Sequence, residues 1–142
     1  MVRLTTFAAA LLFVFSACSS APAASAPAAT GGQLTATLTD STIQLSQASV
    51  ANGPVTITVK NTGTVVHTLV VLKTNLSHDK IPFDPSNQAK VEERGKVGGT
   101  TSELKPGQST DIKLDLSSGK YVLICNELAH YQIGMHAPLT VN

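Results

Sequence analysis

Residues 119–135 read GKYVLICNELAHYQIGM, and this stretch decides the fold. Its first part, Tyr121 to Cys125, is a continuous apolar run of the length and type typical of a buried strand. Cys125, His130 and Met135 then follow one another at the spacing C-x4-H-x4-M. The sequence therefore predicts a buried strand that leads directly into a loop carrying a thiol, an imidazole and a thioether.

The side chains of this loop are those of a soft metal site. Thiolate and thioether sulfur favour copper, and a trigonal set of two imidazoles and one thiolate with a weak axial Met is the form that transfers electrons. The alternative for Cys125 is a buried inert thiol, because a free Cys packs as a small apolar residue. The copper interpretation needs one more imidazole.

His67 is the candidate for that second imidazole. It follows the turn at residues 61–63, Asn-Thr-Gly, and stands in the β-branched run 65–72, which predicts a place at the start of a strand. A single His in an apolar strand is more often a packed core or edge residue than a ligand. The incomplete ligand set on the Cys125 loop nevertheless favours His67 as the missing nitrogen.

The two remaining histidines are weaker candidates. His78 lies in the polar loop 75–79, which predicts a solvated side chain, and it is the fallback imidazole if His67 points away. His136 directly follows Met135 and should face the opposite side of its strand. Neither is predicted to be a ligand.

Alternating apolar and polar residues predict short, half-buried strands along the rest of the chain. The predicted inward positions are Leu34, Ala36 and Leu38, then Ile43 and Leu45, then Val55, Ile57 and Val59, then Ile112, Leu114 and Leu116, with a closing strand at 138–141. Residues 73–107 predict a loop with one short helix and an edge strand around 100–104. The predicted fold class is all-β, a sandwich of short strands.

From about residue 33 to residue 142 the chain resembles the plastocyanin-, azurin- and auracyanin-like cupredoxins, which are blue-copper proteins. The shared pattern is the turn before His67, Gly-x-Tyr at 119–121 before Cys125, Gly134 before Met135, and Leu-Thr-Val at 139–141. The resemblance implies a Greek-key β-sandwich of seven to eight strands with one type 1 copper ion at one end.

The resemblance also implies a role for each ligand and for the protein. Cys125 would supply the thiolate, His67 and His130 the in-plane nitrogens, and Met135 a long axial contact. The function implied is electron transfer rather than enzyme catalysis. We expect a monomer that exchanges electrons with redox partner proteins, whose donor and acceptor the sequence does not name.

One departure from the family pattern follows two of these ligands. Relatives often carry Asn after the first His and Ser or Thr after the Cys, and those side chains brace the ligand loops. Here Thr68 follows His67 and Asn126 follows Cys125, so the two residue types are exchanged. We expect an amide-to-hydroxyl hydrogen bond between Thr68 and Asn126; the alternative is that both side chains face solvent.

The N-terminus predicts an export signal over residues 1–17. Arg3 gives a positive start, the apolar run 7–15 is too short to span a bilayer, and small residues precede Cys18. The segment resembles the lipobox of bacterial lipoproteins, which predicts lipid attachment at Cys18. Phe15 stands where Leu is usual, so ordinary cleavage is the alternative.

These features divide the chain into three parts. Residues 1–17 are the predicted signal peptide, 18–32 the lipid-attachment Cys with a flexible Ala/Pro/Ser linker, and 33–142 the copper-binding domain. The predicted location is the periplasmic or extracellular face of the membrane, with the lipid as anchor.

Charge and composition exclude several other functions. With a net charge of +1, the chain has no basic stripe for nucleic acid. Its four histidines have no His-x-His spacing of the kind that multicopper oxidases and copper nitrite reductases use. A copper-binding or delivery protein of the cell envelope is the alternative function, and it is disfavoured because Met135 is the only Met after the leader.

Overall fold

The computed structural model describes residues 32–142. These residues form ten strands and no helix. The strands are β1 (Gln33–Leu38), β2 (Ile43–Leu45), β3 (Ser49–Val50), β4 (Gly53–Asn61), β5 (Val70–Lys73), β6 (Phe83–Asp84), β7 (Asn87–Val91), β8 (Ser109–Leu116), β9 (Gly119–Ile124) and β10 (His136–Val141). Within residues 32–142 there is thus no helix long and apolar enough to cross a membrane.

Eight of the strands form two four-stranded sheets. The first has the order β2-β1-β4-β8 and the second β3-β10-β9-β5. The pairs β1/β4 and β3/β10 are parallel, and the other pairs are antiparallel. Strands β6 and β7 form a separate hairpin. The predicted all-β sandwich is confirmed.

Period-2 alternation gives each sheet one apolar face. In β1, Leu34, Ala36 and Leu38 are buried while the Thr residues between them are half-exposed, and β4 repeats the pattern. The side chains that point inward meet between the two sheets and form the main core. Full burial of one large aliphatic side chain stabilises the fold by about 1.5–3 kcal/mol.

Strand β9 is apolar throughout because both of its faces are covered. Tyr121 and Leu123, followed by Cys125 just after the strand, point into the main core. Val122 and Ile124 point the other way, into a second apolar cluster that includes residues from β5 and β7. The continuous apolar run in the sequence thus reflects a strand packed on two sides, and it ends where the ligand loop begins.

Residues 73–107 differ from the prediction. No helix occurs there: the β6–β7 hairpin occupies 83–91, and around 100–104 an isolated bridge between Leu104 and His67 replaces the expected edge strand. The strand expected from residue 65 begins only at Val70. The cause is the side chain of Asn61, whose amide donates to the Val65 and Leu104 carbonyls and so holds this segment in a loop.

Candidate metal centre

Three predicted ligands converge at one end of the sandwich. The Nδ1 atoms of His67 and His130 lie 3.1 Å apart. Cys125 Sγ lies 3.7 Å from the first of these nitrogens and 3.4 Å from the second. His67 and Cys125 are fully buried and His130 is half-buried. Two imidazoles and a thiol therefore face one another in a largely dry site.

Backbone and amide contacts place His67. Its N–H donates to the Leu104 carbonyl at 3.1 Å, and the Leu104 N–H donates back at 2.8 Å. Asn61, itself buried, donates to the Val65 and Leu104 carbonyls at 2.8 Å each and accepts from the Gly63 N–H at 2.9 Å. One buried amide therefore fixes both segments that hold this imidazole.

The outer nitrogen of His67 faces a carboxylate. His67 Nε2 is buried and has no hydrogen-bond partner, and Asp40 Oδ1 lies 3.7 Å from it. Asp40 is held in turn by the Thr64 N–H at 2.6 Å and the Thr64 hydroxyl at 2.8 Å. Burial lowers the pKa of His67, and His130 lowers it further, so the ring is neutral near pH 7. A neutral ring with Nε2–H toward Asp40 leaves Nδ1 unprotonated, so that its lone pair faces the cluster.

Cys125 directly follows β9 and is fully buried. Burial raises the pKa of its thiol, against smaller opposing effects of hydrogen bonds from the Glu127 and Thr68 backbones. The protein alone thus keeps the thiol protonated, and formation of the thiolate needs a cation beside it.

Met135 closes the ligand loop onto the strand. Its carbonyl accepts from the Cys125 N–H at 3.0 Å, and its N–H donates to the His130 carbonyl at 3.1 Å. The side chain is fully buried in the main core with Cys125. Gly134 before it has φ 112°, a left-handed backbone that favours glycine. The backbone therefore joins the three C-terminal candidates into one unit.

The residues fit a single copper ion. Two nitrogens about 2.0–2.1 Å from one ion, at bond angles of about 90–110°, are about 2.9–3.4 Å apart. The observed Nδ1 separation of 3.1 Å falls within that span. Two imidazoles and a thiol satisfy few of one another's polar atoms, whereas one soft cation takes all three as ligands.

The expected brace between Thr68 and Asn126 is not formed. The Asn126 amide accepts from the Val91 N–H at 2.9 Å and donates to the Val91 carbonyl at 3.1 Å and to a Glu93 carboxylate oxygen at 3.0 Å. It therefore ties the ligand loop to the β6–β7 hairpin. Asn126 was expected to find its hydrogen-bond partner in Thr68, but it finds it in Val91 of the hairpin, which the sequence analysis did not predict.

The other two histidines lie away from this cluster. His136 is the first residue of β10, and its ring faces His78, with an Nδ1–Nδ1 distance of 2.7 Å. His78 was expected to be a solvated loop side chain, but it is half-buried against His136. The fallback assignment of His78 to the Cys125 cluster does not agree with this position.

Sequence reasoning missed two residues that shape the site. Asn61 was interpreted only as part of a turn, and its burial could have been suspected from its place at the end of an alternating strand. No sequence motif indicated a role for Asp40, because its approach to His67 depends on how the loop after β1 folds.

Comparison with known proteins supports the fold and the family pattern. The family model described as the sulfocyanin (SoxE) domain matches residues 25–142. Reduced auracyanin from the photosynthetic bacterium Roseiflexus castenholzii is 24% identical, with a TM-score of 0.58, over 79% of this chain and 98% of that chain. Rusticyanin from Thiobacillus ferrooxidans is 14% identical, with a TM-score of 0.59, over 78% of this chain and 76% of that chain. No curated protein sequence matches. At these identities the solved structures show a shared fold.

Proposed function

The chain belongs to the sulfocyanin (SoxE) domain family, whose cupredoxin fold carries one type 1 copper ion for electron transfer, and from that premise we propose that His67, Cys125, His130 and Met135 are the copper ligands. The observation that carries the proposal is the convergence of two Nδ1 atoms and one thiol within 4.8 Å of one another. The test is the visible spectrum of the oxidised, copper-loaded protein. An intense thiolate-to-copper charge-transfer band is expected, and its absence would contradict the assignment.

The bound ion supplies a one-electron couple, Cu(II)/Cu(I). The chain contributes a ligand set that moves little between the two states. His67 is fixed by the Leu104 backbone, and Cys125 and Met135 by their mutual hydrogen bond. Asn126 anchors the loop to β7. Such a rigid frame keeps reorganisation small, and small reorganisation favours a carrier over an enzyme that must admit substrate.

The proposal includes a docking surface at the copper end. Leu128 and Ile133 are 60% and 56% exposed, on either side of His130 in the chain, and Val65, two residues before His67, is 45% exposed. An apolar rim around a ligand edge suits the small, short-lived interface of electron-transfer partners. With Arg3 removed, nine basic residues balance nine acidic ones, so long-range steering should be weak and the exchange rate only weakly dependent on salt.

We expect Ile133→Glu to slow electron exchange with the partner about tenfold while leaving the copper spectrum intact. An unpaired charge at a dry contact costs at least about 1.4 kcal/mol, which is a factor of ten. Stopped-flow kinetics measure the rate. Leu76→Glu is the matched control, because Leu76 is also exposed but lies on the β5–β6 loop. Equal rates for the wild type and Ile133→Glu would locate docking elsewhere.

We further propose that 1–17 is a signal peptide, that Cys18 carries the lipid, and that 18–32 tethers the domain 33–142 at the outer face of the membrane. The leader, Cys18 and the tether up to residue 31 lie outside the described residues. The proposal is supported by the sequence pattern and by the start of β1 at Gln33.

For this anchor we expect a mature chain that begins at an acylated Cys18 and partitions with membranes. Acyl chains contribute about 0.8 kcal/mol per buried CH₂, and more than one chain gives stable anchoring. Mass spectrometry of protein from the native host measures the N-terminus. Cys18→Ala should release the protein into the soluble fraction. An unmodified N-terminus beyond Cys18 would indicate a soluble exported carrier instead.

A further inference from the structure

A second pair of imidazoles lies outside the copper site. His78 is on the loop between β5 and β6, and His136 begins β10. Their Nδ1 atoms are 2.7 Å apart, and their ring centroids are 4.7 Å apart. Both side chains are half-buried, so the pair is accessible from solvent on one side. The proposed copper role uses neither ring.

Tyr131 holds this pair in place from both sides. Its hydroxyl donates to the His78 carbonyl at 2.8 Å and accepts from the Ile81 N–H at 2.9 Å, which pins the loop that carries His78. Its ring lies against His136, with the centroids 4.9 Å apart. Since Tyr131 is itself buried, the two imidazoles meet in a preformed arrangement rather than by chance contact of surface side chains.

The pair has nearly the geometry of the two imidazoles at the copper site. There the Nδ1 atoms are 3.1 Å apart and the ring centroids 4.9 Å apart. Two nitrogens bound to one ion are about 2.9–3.4 Å apart, so His78 and His136 need to open by only a few tenths of an ångström. We propose that His78 and His136 form a second metal site, which takes a borderline divalent cation such as Cu(II), Zn²⁺ or Ni²⁺ through both Nδ1 atoms.

The proton balance of the pair is compatible with this role. In the hydrogen bond between the two Nδ1 atoms, one ring carries the proton and the other accepts it. A cation takes the place of that proton, which moves to Nε2 of the same ring, and no proton is released. Water completes the coordination.

A nearby carboxylate adds to the attraction for a cation. Asp79 directly follows His78, and its hydrogen bonds with Ser77 and Lys80 lower the pKa of its carboxyl to about 2. It is therefore ionised, and it interacts electrostatically with His136. Imidazole nitrogen with water and one adjacent negative charge suits Zn²⁺, Ni²⁺ or a tetragonal Cu(II) ion rather than Cu(I).

Addition of Cu(II) to the oxidised, copper-loaded holoprotein tests the site. Electron paramagnetic resonance separates the thiolate-bound ion from an ordinary tetragonal ion. We expect one further equivalent of tetragonal, nitrogen-ligated Cu(II), with the first signal intact. His78→Ala should weaken binding of this second ion at least tenfold and keep the first. Leu76→Ala, in the same loop, is the matched control and should bind as the wild type does.

Two outcomes would overturn the second site. One is a wild type that takes up no second copper in severalfold excess of metal. The other is a His78→Ala protein that binds the second ion as tightly as the wild type, which would assign binding to the N-terminal amine or to scattered carboxylates. His136→Ala repeats the comparison from the other ligand. If instead the electron-carrier proposal were wrong, the wild-type protein itself would lack the thiolate-copper signal.

Discussion

We expect Cys125→Ser to abolish the intense colour of the oxidised, copper-loaded protein while leaving a folded β-sandwich. The colour requires a thiolate bound to copper, and a serine hydroxyl does not ionise or form that covalent bond near neutral pH. The fold should persist because the backbone hydrogen bond from the Cys125 N–H to the Met135 carbonyl remains, and because other strands build the core. A buried hydroxyl in place of a thiol lowers the free energy of unfolding by about 1–3 kcal/mol.

Visible absorption measures the loss of colour, and far-UV circular dichroism measures whether the β-sandwich is still folded. Cys18→Ser is the matched control, because it changes the only other Cys and should keep the full colour. A Cys125→Ser protein that stays intensely coloured would show that the chromophore is not a thiolate-copper bond. Loss of colour with loss of the strand signal would instead indicate a structural role for the thiol.

The parts of the fold that the sequence predicts are those set by local alternation. β1 and β4 follow directly from the spacing of Leu34, Ala36 and Leu38 and of Val55, Ile57 and Val59, because period 2 places these side chains on one face. β9 follows from its unbroken apolar run. The candidate metal-binding loop was easier to predict, since its three candidate side chains stand at fixed spacing in one short stretch.

The missed elements depend on contacts between distant segments. The hairpin 83–91 is mostly polar and shows little alternation, and its place is set by Asn126, 35 residues beyond Val91. The hydrogen bond between Val91 and Asn126 also explains why the predicted pairing of Asn126 with Thr68 is not formed. A side-chain amide hydrogen-bonds whichever backbone the fold brings beside it, and residue type alone does not identify that backbone.

For His67, the expected ligand role and the expected place in a strand had different outcomes. Its role was inferred because a copper loop lacked one imidazole, whereas its place in a strand was inferred from the β-branched residues around it. The structure brings it to Cys125 and His130, but from a loop held by Leu104 and Asn61. Chemistry thus located the residue where secondary-structure propensity did not.

His67→Ala should destroy the type 1 character of the copper site and lower copper affinity more than about 100-fold. Loss of an outer-shell partner alone typically costs 10–100-fold in metal affinity, and loss of a direct ligand should cost more. The loop should survive, because its hydrogen bonds to Leu104 come from the backbone. Copper content and the visible spectrum measure the effect. His78→Ala removes an imidazole of the same kind from the other pair, so its type 1 spectrum should match the wild type. The opposite pattern, colour lost in His78→Ala and kept in His67→Ala, would move the first nitrogen ligand to the β5–β6 loop.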